Sequence, residues 1–282
     1  MIIEVDIPRE EYEYCKKNKI KDVMAHHNIS YQKASFYRFL SKRSEVKPTH
    51  SLQRKGSVVG AFACIHTPFD HNKYLKFLVE TFEARGVSEI VCLGDIIDNH
   101  ALTFHEVSEH AYSAGHELEE ARKRLKPYWE AFSDVKVCLG NHDRLPYRKA
   151  KTVGIPSKCL KDPQDLWDTP DGWVYDTEHW IDNVRYVHGD SMGKAFNLAC
   201  ADGYSVVMGH LHTLLSVQYR ASKKMRVFGC QVGCGIDATS YAMEYGKPFK
   251  HKPILGCAIV RGGIECEVVP MPLELTKYKR NF

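Results

Sequence analysis

Glu89-Ile-Val-Cys-Leu-Gly-Asp-Ile-Ile-Asp-Asn-His100 is the stretch that decides the fold. Its first part, Glu89–Leu93, is a short apolar run typical of a buried strand. Gly94 then allows a sharp turn, and Asp95 and Asp98 follow closely. In α/β proteins, ligands bind at the carboxyl ends of the strands, where side chains from neighbouring strands meet. The stretch therefore predicts a buried strand that leads into a functional site.

The same arrangement, an apolar run followed by His, Asp or Asn, occurs at four more places. These clusters are Cys64-Ile-His66, Gly140-Asn-His-Asp143, His188-Gly-Asp190 and Gly209-His-Leu-His212. One cluster alone is a weak signal, because Gly-Asn-His can be a simple turn and His-x-His can lie on a surface. All of them at strand ends would bring together enough His, Asp and Asn side chains for two metal ions.

Apolar runs and amphipathic helices alternate through the first part of this region, which predicts an α/β fold. The expected strands are Ser57–Ala63, Glu89–Leu93, Val135–Leu139, Val184–Val187 and Ser205–Met208, and the expected helices are Asn72–Arg85 and 105–126. Pro127 is expected to end the second helix. Residues 160–180 are rich in Asp, Pro, Trp and Gly and are expected to form a surface insertion.

After residue 214 the pattern changes to short apolar runs joined by tight turns. The runs are Leu215–Tyr219, Met225–Gly229, Leu255–Val260 and Ile264–Val269. Turns such as Arg261-Gly-Gly263 suit hairpins, so this part predicts an antiparallel sheet.

The N-terminal fifth of the chain carries all of its surplus positive charge. Residues 1–55 have 12 Lys and Arg against 7 Asp and Glu, whereas the remaining residues have 27 against 28. Residues 1–45 are expected to form a basic helical segment similar to a helix-turn-helix, and 46–56 a linker. DNA or RNA is one expected partner of residues 1–55. The alternative is a helical hairpin that packs on the main domain or mediates oligomerisation.

Composition is that of an ordinary soluble globular protein, with 44% hydrophobic and 26% charged residues. We expect no membrane span, because no run of about 18 apolar residues is present. The N-terminus lacks a signal-peptide pattern, which argues against secretion. Most of the ten cysteines lie in apolar runs, as expected for reduced core cysteines in a cytoplasmic protein.

The series of clusters resembles the signature of the calcineurin-like metallophosphoesterase family. Its motifs are Asp-x-His, Gly-Asp-x-x-Asp, Gly-Asn-His-Asp/Glu, a lone His and Gly-His-x-His, and this chain matches four of them fully. The resemblance covers about 57–270 and implies a catalytic domain over 57–282. It also implies a four-layer α-β-β-α sandwich of two mixed sheets. The implied cofactors are two divalent metal ions (Mn, Zn or Fe), which bind a bridging hydroxide that attacks phosphorus.

The resemblance further implies a role for each motif residue. Asp95 would bridge both metals, His66 and His212 would ligate the first, and Asn141, His188 and His210 would ligate the second. His142 would protonate the leaving oxygen or stabilise phosphoryl charge, with Asp98 or Asp143 orienting it. His100, Arg144 and Arg148 are candidate substrate contacts, with a solvent-facing position as the alternative for each.

Cys64 departs from the family pattern, which has a metal-ligating Asp at this position. One interpretation is a thiolate ligand, which would favour Zn or Fe over Mn or Mg. The others are a non-ligand that leaves the first metal with more water, or the mark of a protein that has lost activity. Asp70 is a poor substitute, because it lies six residues further on and past Pro68.

These features together predict a metal-dependent phosphoesterase acting on a phosphomonoester or phosphodiester. The basic segment and Arg144–Lys151 favour a nucleotide or nucleic acid, and hence a phosphodiesterase or nuclease. A protein phosphatase is the alternative within the class, although such enzymes usually have Arg-Gly where this chain has Asn99-His100. The alternative from another class is a nucleic-acid-binding or regulatory protein on a phosphoesterase scaffold with impaired catalysis.

Overall fold

The computed structural model describes residues 56–272, apart from 105, 224, 241 and 243–250. The helical segment expected over residues 1–45 and nearly all of the linker expected over 46–56 lie outside the described residues. The division of the chain into these two parts and a catalytic domain at 57–282 therefore stays a prediction.

The described residues form short strands, with most helices placed between them. The strands are β1 (Val58–Phe62), β2 (Glu89–Cys92), β3 (Val135–Cys138), β4 (Trp173–Asp176), β5 (Glu178–Ile181), β6 (Val184–Val187), β7 (Ser205–Met208), β8 (Leu215–Ala221), β9 (Arg226–Val232), β10 (Gly256–Arg261) and β11 (Glu265–Pro270). The α-helices are α1 (Tyr74–Ala84), α2 (Ala114–Ala131), α3 (Leu145–Thr152), α4 (Pro163–Trp167) and α5 (Ala195–Asp202). Short 3-10 helices cover His100–Leu102 and Ser157–Cys159.

The strands form two mixed sheets, as the resemblance implied. Sheet one has the order β11-β10-β1-β2-β3-β4, in which β1 to β4 are parallel and β10 is antiparallel to both of its neighbours. Sheet two has the order β5-β6-β7-β9-β8, with β6, β7 and β9 parallel and an antiparallel strand at each edge. The α/β fold with two mixed sheets is therefore confirmed.

The two sheets pack face to face around an apolar core. Val59 and Val91 of sheet one share this buried cluster with Val184 and Val207 of sheet two. Helices α1 and α2 cover the other face of sheet one, and α5 covers the other face of sheet two. Successive side chains of a strand point to opposite faces, so strands buried on both faces read as continuous apolar runs.

Helix α2 differs from its prediction at both ends. It begins at Ala114, after Ser113, whose hydroxyl accepts a hydrogen bond from the backbone N–H of His116. It continues through Pro127 to Ala131, although an internal proline costs a helix about 3 kcal/mol. Buried side chains on both sides of the proline, those of Leu125 and Tyr128, stabilise this continuation.

The prediction of a surface insertion over residues 160–180 is wrong. This segment contains α4, β4 and the start of β5, and β4 pairs with β3 at the edge of sheet one. The side chains of Trp167 and Trp173 are fully buried, and the Trp173 indole donates to the carbonyl of Phe132 at 2.9 Å. Because the sequence neighbours of these two tryptophans are polar, the burial of their side chains was not predicted.

The strands after residue 214 do not form one antiparallel sheet. The β8–β9 pair is antiparallel and joins sheet two, whereas the antiparallel β10–β11 pair joins sheet one. Turn signals are local, so they predict which strands pair as hairpins and not which sheet each hairpin extends. Among the residues that the structure describes, no helix combines the length and apolar character needed to cross a membrane.

Candidate metal centre

The loops that follow the parallel strands of both sheets meet at one end of the sandwich. The loop after β1 pairs with the loop after β2 through backbone hydrogen bonds. The N–H of Cys64 donates to the carbonyl oxygen of Gly94 at 2.9 Å, and the N–H of His66 donates to the backbone carbonyl oxygen of Asp95 at 3.0 Å. Sheet two joins them through His188, whose Nδ1 lies 2.7 Å from the carbonyl oxygen of Leu93. The strand-end clusters seen in the sequence are thus brought together.

The backbone at this end adopts a conformation that is uncommon outside glycine. Cys64, His66, Asp95, Asn99 and His210 all have positive φ, between 50° and 62°. Such residues cost about 1–3 kcal/mol each, and they cluster at functional sites where the surrounding structure holds them in place. The concentration of strain here supports a functional role for these loops.

Gly140 permits the closest approach between two of the loops. A Cβ atom at this position would lie 2.1 Å from Oδ1 of Asp95 and 2.5 Å from its backbone nitrogen. The backbone N–H of His142 can therefore reach Asp95 Oδ1, to which it donates at 2.8 Å. The glycine fixes the position of the carboxylate that was predicted to bridge two metals.

One group of potential ligands consists of Cys64, His66, Asp95 and His212, whose ligand atoms all lie within 4.8 Å of one another. Nδ1 of His66 lies 2.6 Å from Oδ1 of Asp98, which holds the ring proton on that nitrogen. The Nε2 lone pair of His66 consequently faces His212, whose Nε2 is 3.2 Å away. Carboxylates commonly orient metal-binding histidines in this way.

A second group consists of Asp95, His188 and His210, and Asn141 adjoins it. Nδ1 of His188 is engaged by the Leu93 carbonyl, so its Nε2 faces the group. That Nε2 lies 2.9 Å from Oδ1 of Asn141, 3.2 Å from Nδ1 of His210 and 3.1 Å from Oδ2 of Asp95. All seven residues predicted to bind metal are therefore close together, in two groups that share Asp95.

The chemistry of these groups fits a pair of divalent cations. Oδ2 of Asp95 is buried and accepts no well-aligned hydrogen bond, although histidine nitrogens of both groups lie near it. Facing ring nitrogens need a proton or a cation between them, since their lone pairs repel. Imidazole, carboxylate and amide ligands suit Mn, Fe or Zn, and a thiolate narrows the choice towards Zn or Fe. The number and identity of the ions stay predictions.

The electrostatics of the centre follow from one buried carboxylate among several imidazoles. Burial raises the pKa of Asp95, but the nearby rings of His188 and His142 outweigh it and hold that pKa well below its usual value. Burial lowers the pKa of His188, but the charge of Asp95, 3.1 Å away, and the hydrogen bond to the Leu93 carbonyl outweigh burial and raise that pKa to about 8. Burial and the neighbouring His66 keep the pKa of His212 well below its usual value, so that ring is a neutral ligand.

Cys64 lies within the first group but is not a thiolate on its own. Its Sγ accepts a hydrogen bond from the N–H of His210 at 3.3 Å, and the side chain is fully buried. Burial, reinforced by the charge of Asp95, raises the pKa of its thiol well above the usual value, so ligation requires a cation to displace the proton. Asp70 does not substitute for it, because its carboxylate binds Arg124 at 2.7 Å and Tyr128 at 2.9 Å.

Asp98 and Asp143 were both candidates for orienting His142, and the structure separates them. Nδ1 of His142 lies 2.6 Å from the backbone oxygen of Asp98. The carboxylate of Asp143 instead accepts hydrogen bonds from backbone N–H groups of the loops after β2 and β3, those of Asp95, Ile96, Ile97 and Gly140. Burial raises the pKa of Asp143 to about 6. Asp143 thus fastens two loops together, and the orienting contact comes from Asp98.

The side chain of His100 lies next to Asp98 and is mostly buried, so it does not face solvent. Its Nε2 accepts from the N–H of Ser108 at 3.3 Å, and its Nδ1 is 3.8 Å from Oδ2 of Asp98. Sequence reasoning missed Glu117 of α2, whose buried carboxylate accepts from the N–H groups of His100 at 2.7 Å and Ala101 at 2.8 Å. Glu117 lies in an acidic run of a helix, so the sequence carries no signal that distinguishes it.

Arg144 and Arg148 lie beside the second group. They line a cavity of about 410 Å³ with residues of that group and of the neighbouring loop, namely Asn141, His210, Asp190 and Ser191. Nη2 of Arg144 donates to Oδ1 of Asp190 at 2.7 Å, and its Nε donates to the carbonyl of Gly140 at 3.0 Å. This position is compatible with the predicted contacts to substrate, which stay a prediction.

Comparison with known proteins assigns the family. A search of curated proteins found no match. Among solved structures, the chain is similar to a metallophosphoesterase from Sphaerobacter thermophilus (14% identity, TM-score 0.42, covering 77% of this chain and 88% of that one). It is also similar to the Escherichia coli phosphoesterase Yfce (14%, 0.36, 72% and 87%) and to a single mutant of Vps29 from Entamoeba histolytica (12%, 0.34, 76% and 99%).

The family model of the calcineurin-like phosphoesterases matches residues 57–225, which is more than half of the chain. The matched range runs from β1 to the turn between β8 and β9 and contains all the residues of the two ligand groups. The chain therefore belongs to the calcineurin-like phosphoesterase family.

Proposed function

We propose that this protein hydrolyses a phosphomonoester or phosphodiester with two divalent metal ions, and that its substrate is a nucleotide or nucleic acid. One observation carries the proposal. Oδ2 of Asp95 is buried without a well-aligned hydrogen bond, between two groups of histidine nitrogens. A buried polar atom left in this state is costly unless a cation satisfies it.

Hydrogen bonds within the protein orient the rings of the site. Two divalent cations, when bound there, supply an activated water and neutralise charge on the phosphoryl group. Asp98 and the Leu93 carbonyl hold protons on Nδ1 of His66 and His188, so each ring presents Nε2 to the centre. The positions of both rings are therefore set by the protein, which lowers the cost of ordering them on binding.

His142 is the proposed proton donor to the leaving oxygen. Its Nδ1 is engaged by the backbone oxygen of Asp98, which leaves Nε2 as the nitrogen available to a substrate. Burial lowers the pKa of His142, but the charges of Asp95 and Asp98 outweigh burial and raise it above the usual value. A protonated imidazole can deliver its proton as the phosphorus–oxygen bond breaks.

Positive charge beside the second ligand group supports a phosphate-containing substrate. Arg144 and Arg148 line the same cavity as Asn141 and His210, so an anion at the ligand group would meet both guanidinium groups. The basic surplus in residues 1–55 supports nucleic acid over a small monoester. Asn99 stands where the serine/threonine protein phosphatases usually have Arg. Its side-chain amide donates to the carbonyl of His142 at 3.0 Å.

The test is turnover by the full chain after metal removal and reloading with Mn²⁺, Zn²⁺ or Fe²⁺. Bis-p-nitrophenyl phosphate and p-nitrophenyl phosphate report diester and monoester hydrolysis. We expect His142→Ala to bind metal like the wild type and to lose about 10²–10⁴-fold in kcat. The matched control is His116→Ala, at an exposed position of α2. An absence of turnover with every metal, together with tight DNA binding, would instead favour a binding protein on a phosphoesterase scaffold.

A further inference from the structure

The cavity of about 410 Å³ beside the second ligand group is called the metal-side cavity here. A groove of about 690 Å³ lies next to it. Its apolar lining comes from the loop after β3, from α3 and from the segment up to α4, namely Leu139, Tyr147, Ile155, Pro156 and Pro163. We propose that this groove binds the nucleoside attached to the scissile phosphate, with the base on the apolar lining. The proposal rests on the proposed function and assigns a place to one half of its substrate.

The groove and the metal-side cavity are adjacent and share part of their lining. Arg144 and Arg148 line both of them, and the cavity is also lined by Asn141 and His210 of the second ligand group. A molecule whose phosphate lies against Asn141 and His210 therefore passes two guanidinium groups before it reaches the apolar lining. A nucleotide has this order of parts, since its sugar separates the phosphate from the base.

The two arginines differ in how their charge is balanced. Arg144 is paired with Asp190 at 2.7 Å, whereas Arg148 forms no ion pair within the described residues. The Arg148 guanidinium lies 5.0 Å from the centroid of the Phe104 ring, and Nζ of Lys149 lies 4.2 Å from the same centroid. An aromatic face holds cations in place without neutralising them. With Lys151 on the groove wall, this side carries positive charge that an anionic ligand would balance.

The lining itself is suited to a flat apolar group. The Tyr147 hydroxyl donates to the carbonyl of Lys161 at 2.9 Å, which fixes the ring before a ligand binds. Ile155 is 45% exposed beside it, so a base placed there would remove apolar surface from water. Inorganic phosphate makes no use of such a surface. A nucleotide uses both the cations and the apolar lining, because it combines an anion with an aromatic base.

The test compares two esters that share a scissile bond and leaving group and differ in the nucleoside. Thymidine 5′-(p-nitrophenyl phosphate) carries the nucleoside and methyl p-nitrophenyl phosphate lacks it. With the Mn²⁺-loaded full chain we expect kcat/KM to be about tenfold or more higher for the thymidine ester, as for one base–aromatic contact. Ile155→Asp should reduce this ratio towards one. Val153→Asp is the matched control, because it adds the same charge at a 73% exposed position outside the groove and should keep the ratio.

A binding measurement separates this inference from the proposed function. Thymidine 5′-monophosphate and inorganic phosphate are titrated calorimetrically into the metal-free full chain. We expect the nucleotide to bind about tenfold more tightly than phosphate, and Ile155→Asp to remove the difference. If neither ester is hydrolysed, the proposed function fails, and this titration still shows whether the groove binds a nucleotide. Equal affinities for nucleotide and phosphate in the wild type, or an Ile155→Asp variant equal to Val153→Asp, would overturn the proposal.

Discussion

The Nε2 atoms of His66 and His212 face each other at 3.2 Å in the candidate metal centre. Asp98 keeps the His66 proton on Nδ1, and burial holds the pKa of His212 well below its usual value, so the contact holds at most the single ring proton of neutral His212. A cation between the two nitrogens would bind both Nε2 lone pairs, with the proton of neutral His212 on its Nδ1. The same reasoning applies to Oδ2 of Asp95, which the two ligand groups share.

Metal should therefore stabilise the fold, and Asp95→Asn should abolish the effect. A ligand present at 100 times its Kd adds about 2.7 kcal/mol to the free energy of unfolding, which raises the melting temperature by several degrees. Thermal unfolding of the metal-stripped protein with and without added Zn²⁺ or Mn²⁺ measures this shift. Asp165→Asn, at an exposed position of α4, should retain it. An equal shift in Asp95→Asn would contradict ligation by the shared carboxylate.

Cys64→Ala should weaken one metal site and leave the other intact. The Cys64 thiol belongs only to the group with His66, Asp95 and His212, so the second group keeps its ligands. Competition titrations with a chelator, combined with metal analysis, give the affinity at each site. Cys64→Asp should shift the preference from Zn²⁺ towards Mn²⁺, because an oxygen ligand replaces sulfur. Cys92→Ala removes another buried thiol as the control, and unchanged affinity in Cys64→Ala would rule out ligation.

The strand-end residues were predictable because their signals are local. An apolar run followed by Gly-Asp or Gly-Asn-His predicts both a strand and its carboxyl end, and strands β6 and β7 match their predicted bounds. The grouping of these residues around Asp95 came from the family resemblance, since spacing along the chain does not say which loops meet. The structure brings together the same sets.

Features that depend on packing could not be predicted in this way. Pro127 reads as a helix end, yet α2 continues because Leu125 and Tyr128 are buried on either side of it. Glu117 reads like its neighbours Glu119 and Glu120, although it alone of the three is buried. Only the tertiary structure shows that Glu117 faces the loop after β2, so its role had no sequence signal.

Metal affinity should fall as the pH drops below 8. The Asp95 charge raises the pKa of His188 to about 8 in the metal-free protein, so below this pH the ring carries a proton that a metal must displace. For one displaced proton the apparent affinity falls up to tenfold per pH unit. Calorimetry of Mn²⁺ binding in buffers of different ionisation enthalpy counts the protons. Release from His188 should be nearly complete at pH 7 and small at pH 9, so the total count should fall by nearly one proton between them. An equal count at both would contradict this assignment.

Glu117→Ala should lower both stability and activity, although Glu117 belongs to neither group of potential metal ligands. Its carboxylate accepts the N–H groups of His100 and Ala101, and removing it leaves these donors without that acceptor, which costs about 1–3 kcal/mol of the free energy of unfolding. The loop that it holds also carries Asp98, whose backbone oxygen orients His142.

Urea unfolding measures the first effect and kcat the second, and kcat should fall more than KM changes because the displaced group acts in the chemical step. Glu117→Gln keeps one acceptor oxygen and should lie between Glu117→Ala and the wild type in both measurements. Glu119→Ala, on the exposed side of the same helix, is the control. If Glu117→Ala matched Glu119→Ala in unfolding and in kcat, Glu117 would have no positioning role, and the loop after β2 would hold His142 without help from α2.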